Sequence, residues 1–354
     1  MGKVYSMTIY QDSKRMVGTS TERTSVTVNG LGGWKEVGRT TLGSAGSAID
    51  VSSLPDKRYY MILADLDRST GLQERITFNG DTGSNYSHRL STNGGTDATA
   101  TGQANIMATD AGGSPTFAVA YIANKSDKEK FIMQQEVSAE GTGAGVSLFS
   151  YDVVGKWTNT SNAINQITYS GTNYGSTRDY DSGAEVVVLG WDEDNDGSNF
   201  WEELANVNGS GSNTLSSGTI TAKKYLWLQF YLDPSASYTP KVNFNGDGGS
   251  NYTNRYSMNG GTYASDGAES GYYSGFGGGA PQFSNMFIMN NSADEKLAIN
   301  QMVYQDTAGA GNAPQRVDSV GKWTNTSSQI TSIDITGGSA TLSTSSFMKV
   351  WGSN

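Results

Sequence analysis

Residues 57–167 of the chain recur as residues 223–333, at the constant offset that carries Asn79 to Asn245. Phe78-Asn79-Gly80-Asp81 returns as Phe244-Asn245-Gly246-Asp247. Gly155-Lys156-Trp157-Thr158-Asn159-Thr160-Ser161 returns unchanged at 321–327. A repeat of this length is one folded unit used twice, and each copy tests what the other needs. The 354 residues suffice for two domains. The division expected is an N-terminal arm at 1–23, a first unit at 24–191 and a second at 192–354.

Hydropathy patterning sets the fold class. Alternation puts Tyr59, Met61 and Leu63 on one strand face, and Phe131, Met133 and Gln135 on another. Strands are expected at Ser25–Val28, Trp34–Gly38, Ala48–Val51, Arg58–Leu66, Glu74–Phe78, Tyr86–Leu90, Ala104–Ala108, Phe117–Ala123, Lys130–Val137, Val146–Val154 and Ile164–Tyr169. Met7–Tyr10 reads as a strand of the arm, added to a neighbour's sheet or lying at the edge of its own. Gly, Asn and Asp clusters break the runs, and no stretch carries a helical apolar stripe. The expected fold is all-β, with two tandem jelly-roll-like antiparallel β-sandwich domains formed by internal duplication.

Composition narrows the partners. Net charge is −10 with no basic block, which excludes the phosphate-tracking surface nucleic acid requires. No apolar run reaches membrane-spanning length. Cysteine is absent, so disulfide and thiol chemistry are excluded. Residues 1–6 do not open an apolar leader. An extracellular location is therefore expected to be reached by lysis or within an assembled particle.

The repeat also weighs the candidate sites. The lone histidine, His88, is Asn254 in the second copy, so no imidazole is needed there and a Ser-His-Asp or His-zinc centre is not expected. No catalytic residue is assigned. The most specific repeated motif is Asn79, Asp81, Asn85 and Arg89, returning as Asn245, Asp247, Asn251 and Arg255. Its Asn-Gly and Asp-x-Gly steps suit a tight hairpin, with Asp81–Arg89 and Asp247–Arg255 pairing across the turn. The same oxygens could instead ligate calcium or a glycan.

Asp192, Asp194, Asp196 and Glu203 fill acidic positions of a calcium loop. A strand, Val186–Leu189, precedes them where an EF-hand has a helix. The readings are an acidic turn or a calcium clip, so structural Ca2+ is the one cofactor considered. The copies diverge most between Thr99–Thr116 and Ser265–Gln282, where the second carries the segment 271–279 with Tyr272, Tyr273 and Phe276 as a candidate contact loop. Asn-x-Ser/Thr triplets at Asn85, Asn124 and Asn159, with their twins, read as turn residues. Trp157 and Trp323 read as core or sheet-edge aromatics, with a sugar platform as the alternative.

The Phe-Asn-Gly-Asp-x-Gly-Ser-Asn-Tyr-Ser/Thr-x-Arg and Gly-Lys-Trp-Thr-Asn-Thr-Ser segments resemble virion structural proteins of tailed, mostly environmental phages and viruses. The resemblance covers both repeats. It implies a non-enzymatic particle component on the virion surface, a decoration, fibre or spike subunit. Its partners would be itself, as a homo-oligomer for which a trimer of paired domains is one geometry, and other virion proteins. The alternatives are a double-jelly-roll major capsid protein and an extracellular adhesin that binds host-surface glycan.

Overall fold

Short strands of β-branched and aromatic residues, punctuated by glycine and asparagine turns, stack into antiparallel sheets throughout. The computed structural model describes residues 9–11, 14–17, 33–68, 71–109, 113–173, 176–191, 199–273, 279–305 and 307–354, with no helix among them. Each unit is a sandwich of one large and one small sheet. The large sheet of the first unit runs Lys35–Thr41, Glu185–Trp191, Tyr59–Asp65, Thr116–Ala123, Lys130–Ala139, Leu148–Trp157, Tyr86–Thr92, Ala98–Gln103. Its small sheet runs Ser176–Thr177, Gln166–Asn173, Gln73–Phe78, Ile106–Met107, with Ala48–Ser52 on Gln166–Asn173.

The second unit repeats this order. Its large sheet is Glu202–Asn208, Phe347–Ser353, Tyr225–Leu232, Gln282–Met289, Lys296–Tyr304, Gln315–Trp323, Tyr252–Met258, Ala264–Glu269. Its small sheet is Thr214–Ser216, Ile333–Thr336, Lys241–Phe244, Tyr272–Tyr273. In both units the chain passes repeatedly from one sheet to the other, the jelly-roll-like trait expected. Ladder register is kept as well: Lys130 pairs with Trp157, and Lys296 with Trp323.

The two faces of each large sheet do different work. Tyr60, Ile62, Ala118, Ala120 and Ile132 point into the first sandwich core, as Leu226, Leu228, Met286, Ile288 and Ala298 do in the second. The alternate residues, Met61, Leu63, Phe117 and Val119, join Trp201, Trp227, Phe287 and Ile299 in a third core between the units. The Tyr59-Met61-Leu63 face read from alternation is thus the outer face of its sandwich. Of the arm strand expected at Met7–Tyr10, Met7 and Thr8 lie outside the described residues; Ile9–Gln11 pairs with Lys14–Val17 as a separate two-stranded sheet. The Ser25–Val28 expectation lies outside the described residues. Ala98–Gln103 is a strand that alternation missed, because Ala-Thr-Ala-Thr-Gly-Gln carries no apolar signal.

Candidate interaction surface

The repeated hairpin is a structural lock in both copies. Asn79 and Asn245 take positive φ (54° and 53°), followed by Gly80 and Gly246, as the Asn-Gly step requires. Asp81 accepts from the Trp157 indole N–H at 2.7 Å, the Gly83 backbone N–H at 2.8 Å and the Asn85 amide at 2.9 Å. Asp247 accepts from Trp323, Gly249 and Asn251 at 2.7, 2.9 and 2.9 Å. Partial burial works against each carboxylate, but these donors more than offset it and hold both below the usual carboxylate range.

Arg89 does not pair with Asp81, contrary to expectation; it meets Asp97 at 3.0 Å, just before the neighbouring Ala98–Gln103 strand. Side chains on the Tyr86–Thr92 strand alternate, and position 89 points away from the turn. Arg255 lies half-buried, and burial, opposed by the nearby Glu140, lowers its pKa.

Other repeated residues are likewise committed internally. Lys130 Nζ donates to the Lys128 and Asn159 carbonyls at 2.9 and 2.8 Å and lies over the Trp157 ring; Lys296 repeats this with Asp294, Asn325 and Trp323. Asn124 and Asn290 are buried and accept from the Ile164 and Ile330 N–H groups. Trp157 and Trp323 are 1% exposed, which removes the sugar-platform alternative. His88 and Asn254 do one job. The Met107 N–H points at His88 Nδ1 at 3.5 Å, and the Tyr273 N–H at Asn254 Oδ1 at 3.1 Å.

The contact-loop expectation is corrected at Tyr272. Its ring is buried, packs over Gly321 where a Cβ would not fit, and its hydroxyl shares a 2.9 Å hydrogen bond with Ser319. Tyr273 bonds Glu269 and stacks under Lys241, while Phe276 lies outside the described residues. Of the acidic-turn residues, Asp192, Asp194 and Asp196 also lie outside them. Glu203 faces Lys349 at 3.4 Å. Among the described residues no three His, Cys, Asp or Glu side chains cluster as a metal site.

The surface the sequence did not reveal is the outer face of the large sheets. At the junction, one end of the second unit's sheet meets the opposite end of the first unit's sheet. Tyr225 stacks on Phe117 at 6.3 Å and donates to Glu185 at 2.9 Å. Lys224 bridges Asp65 and Glu185 at 2.9 and 3.1 Å, and Asn291 donates to Asp65 at 2.7 Å. Burial works against the Lys224 ammonium, but the two carboxylates more than offset it and raise its pKa. The 141–144 loop closes the other side: Gly143 N–H donates to Glu295 at 2.6 Å, and Lys322 donates to the Gly141 carbonyl at 2.7 Å.

Tyr225, Leu297, Ile299 and Val320 are 4% exposed or less beneath this junction. Their twins in the first unit, Tyr59, Phe131, Met133 and Val154, are 40% to 60% exposed. Fully burying a large apolar side chain contributes about 1.5–3 kcal/mol, so a row of four exposed ones, two aromatic and two aliphatic, is a large unused contact energy. They line an open groove of about 640 Å³ with Trp34 and Tyr121. Sequence alone held one clue: all four positions stay apolar in both copies although they belong to the outer face.

No family model matches the chain, and no curated protein matches it. Among solved structures, domains LG4-5 of the mouse laminin alpha1 chain align over 92% of each chain at 11% identity, with a TM-score of 0.17. Ail, the attachment invasion locus protein of Yersinia pestis, aligns over 75% of this chain and 97% of its own at 7% identity, with a TM-score of 0.13. Likeness at this level carries neither fold nor function across.

Proposed function

We propose that this chain is a non-enzymatic structural subunit of a virion surface, a decoration, fibre or spike component that acts through surface contacts. The observation that carries the reading is the exposed row Tyr59, Phe131, Met133 and Val154, whose twins are buried against a protein partner in the same molecule. A face that buries a partner in one copy is chemically suited to bury one in the other. The absence of catalytic assignments fits the internal commitments of the repeated residues. Asp81, Asp247, Lys130, Lys296, Asn124 and Asn290 all hold turns or loops. The virion setting rests on the sequence resemblance.

Hydroxyl-radical footprinting tests the reading. The chain would be compared in dilute solution and in particles captured with an antibody against it. Met133 and Phe131 are expected to oxidise readily in the dilute chain and to be protected in the particle. Equal oxidation in both states would sink the proposal, as would failure of the antibody to find the chain on any particle.

A further inference from the structure

We propose that the chain joins to further copies of itself head to tail, reusing between molecules the contact that joins its two units. This rests on the reading above that the protein works through surface contacts, and it names the partner as a second copy.

The internal junction is heterologous: it uses different patches on the two units. The second unit contributes Tyr225, Leu297, Ile299 and Val320, and the first contributes Phe117, Val137, Ala139 and Leu148. The first unit's copy of the former patch is the exposed row Tyr59, Phe131, Met133 and Val154. The second unit's copy of the latter includes Phe283 and Val303, which are 37% and 43% exposed while Phe117 and Val137 are fully buried. Every large hydrophobic exposed among the described residues, save Met258, belongs to one of these two vacant patches. They are complementary by the chain's own example, since Tyr225 stacks on Phe117 and their twins are Tyr59 and Phe283.

The polar rim repeats too. Lys322 and Glu295 pair at 2.9 Å beneath the 141–144 loop, and Lys156 and Glu129 pair at 3.0 Å with their side chains partly exposed. The loop that would cover them is the twin segment 307–310 of another copy, which offers the Gly309 N–H to Glu129 as Gly143 offers its own to Glu295. That loop borders a shallow hollow with Tyr231, Phe283 and Val303. One change of chemistry is built in. Asp65 and Glu185, ladder partners that hold Lys224, are replaced by Tyr231 and Phe347, whose rings stack at 5.9 Å. The twin of Lys224 is Arg58, and a guanidinium on stacked aromatic rings is a favourable substitute.

The contact between molecules is weaker than the internal one. Val119, Ala139 and Leu148 become Asn285, Gln305 and Pro314, and no linker tethers the partners. Repetition of one heterologous contact builds a ring or an open filament according to its rotation.

The test is a mixing experiment by analytical ultracentrifugation up to millimolar chain. Wild type is expected to grow in mass with concentration. Met133→Glu and Phe283→Glu each spoil one patch and leave the other intact, so each alone stays at 37.6 kDa. Mixed, the two variants form a dimer of twice that mass and nothing larger, because one intact patch of each kind remains. Far-UV circular dichroism checks that both exposed-site variants are folded. A monomeric wild type, an inert mixture, or a Phe283→Glu variant that self-associates like wild type would each overturn the inference. A monomeric wild type whose Met133 is still protected in the particle would overturn this inference and leave the functional reading standing.

Discussion

Lys322 and Glu295 form a 2.9 Å ion pair that is almost wholly buried, whereas the corresponding pair in the first unit, Lys156 and Glu129, is partly exposed at 3.0 Å. The two lysines share the Gly-Lys-Trp-Thr-Asn-Thr-Ser context and the same ladder position, so the difference in burial between the pairs reports what the domain junction does. Removing one partner of a buried pair strands a charge, at a cost of about 3–5 kcal/mol. An exposed pair is worth about 0–1 kcal/mol. Urea titration followed by tryptophan fluorescence should therefore find Lys322→Met destabilising by several kcal/mol and Lys156→Met close to neutral. Similar losses at both sites would mean that the junction does not shield the second pair.

The cores of the two copies also differ. Arg68 sits fully buried between Glu74 and Glu136, donating also to the Gly113 carbonyl at 3.2 Å. Burial raises the Glu136 pKa to about 7 despite the opposing effect of Arg68. The second unit places Pro234, Pro240 and Met302 at these three positions and keeps the same sheets. The network is therefore dispensable to the fold yet costly to break piecemeal. Arg68→Leu alone is expected to lose about 3–5 kcal/mol. Adding Glu74→Leu and Glu136→Met should recover most of it, measured by the same titration.

These comparisons show which features sequence could reach. Strands, hairpin turns and the equivalence of the copies are local or self-referential, so alternation and Asn-Gly chemistry disclosed them. The partner of Asp81 was not legible, because Trp157 lies far along the chain and only the folded sandwich end brings it to the turn. Nor was the role of Met133 or Phe131. Alternation separates two strand faces, but when both are apolar it cannot tell the face that meets its own small sheet from the face that meets another unit. Tyr272 misled for a related reason. Its aromatic, glycine-rich context reads as surface, while the missing side chain of Gly321 makes room for it in the core.

Stability at the junction should depend on pH through Asp67. Burial, with Asp65, Asp294 and Asp181 nearby, pushes its pKa up to about 8. An unfolded aspartate titrates near about 3.9. The folded state thus holds the proton more tightly, and the contribution of this group is fully present below pH ~4 and lost as pH rises through about 8. Other groups titrate in the same range, so the useful quantity is the stability of wild type minus that of Asp67→Asn. That difference should fall steadily from pH 5 to pH 8. A flat or rising difference in urea titrations across this range would contradict the assignment.

The hairpin lock is built the same way in both units. Asp81 and Asp247 each join a turn to a buried tryptophan through a 2.7 Å hydrogen bond, so replacing either orphans an indole N–H at the sandwich end. Leaving a buried donor unsatisfied costs about 1–3 kcal/mol. Asp81→Ala and Asp247→Ala should each destabilise by that order, and near-additively, since the sites are in separate units. Trp157→Phe in the Asp81→Ala background should cost less than Trp157→Phe alone, because the hydrogen bond is already gone. A double-mutant cycle by urea titration measures that coupling. A coupling energy indistinguishable from zero would show that the carboxylate serves something other than the turn, and would return Asn79, Asp81 and Asn85 to consideration as ligand-binding oxygens.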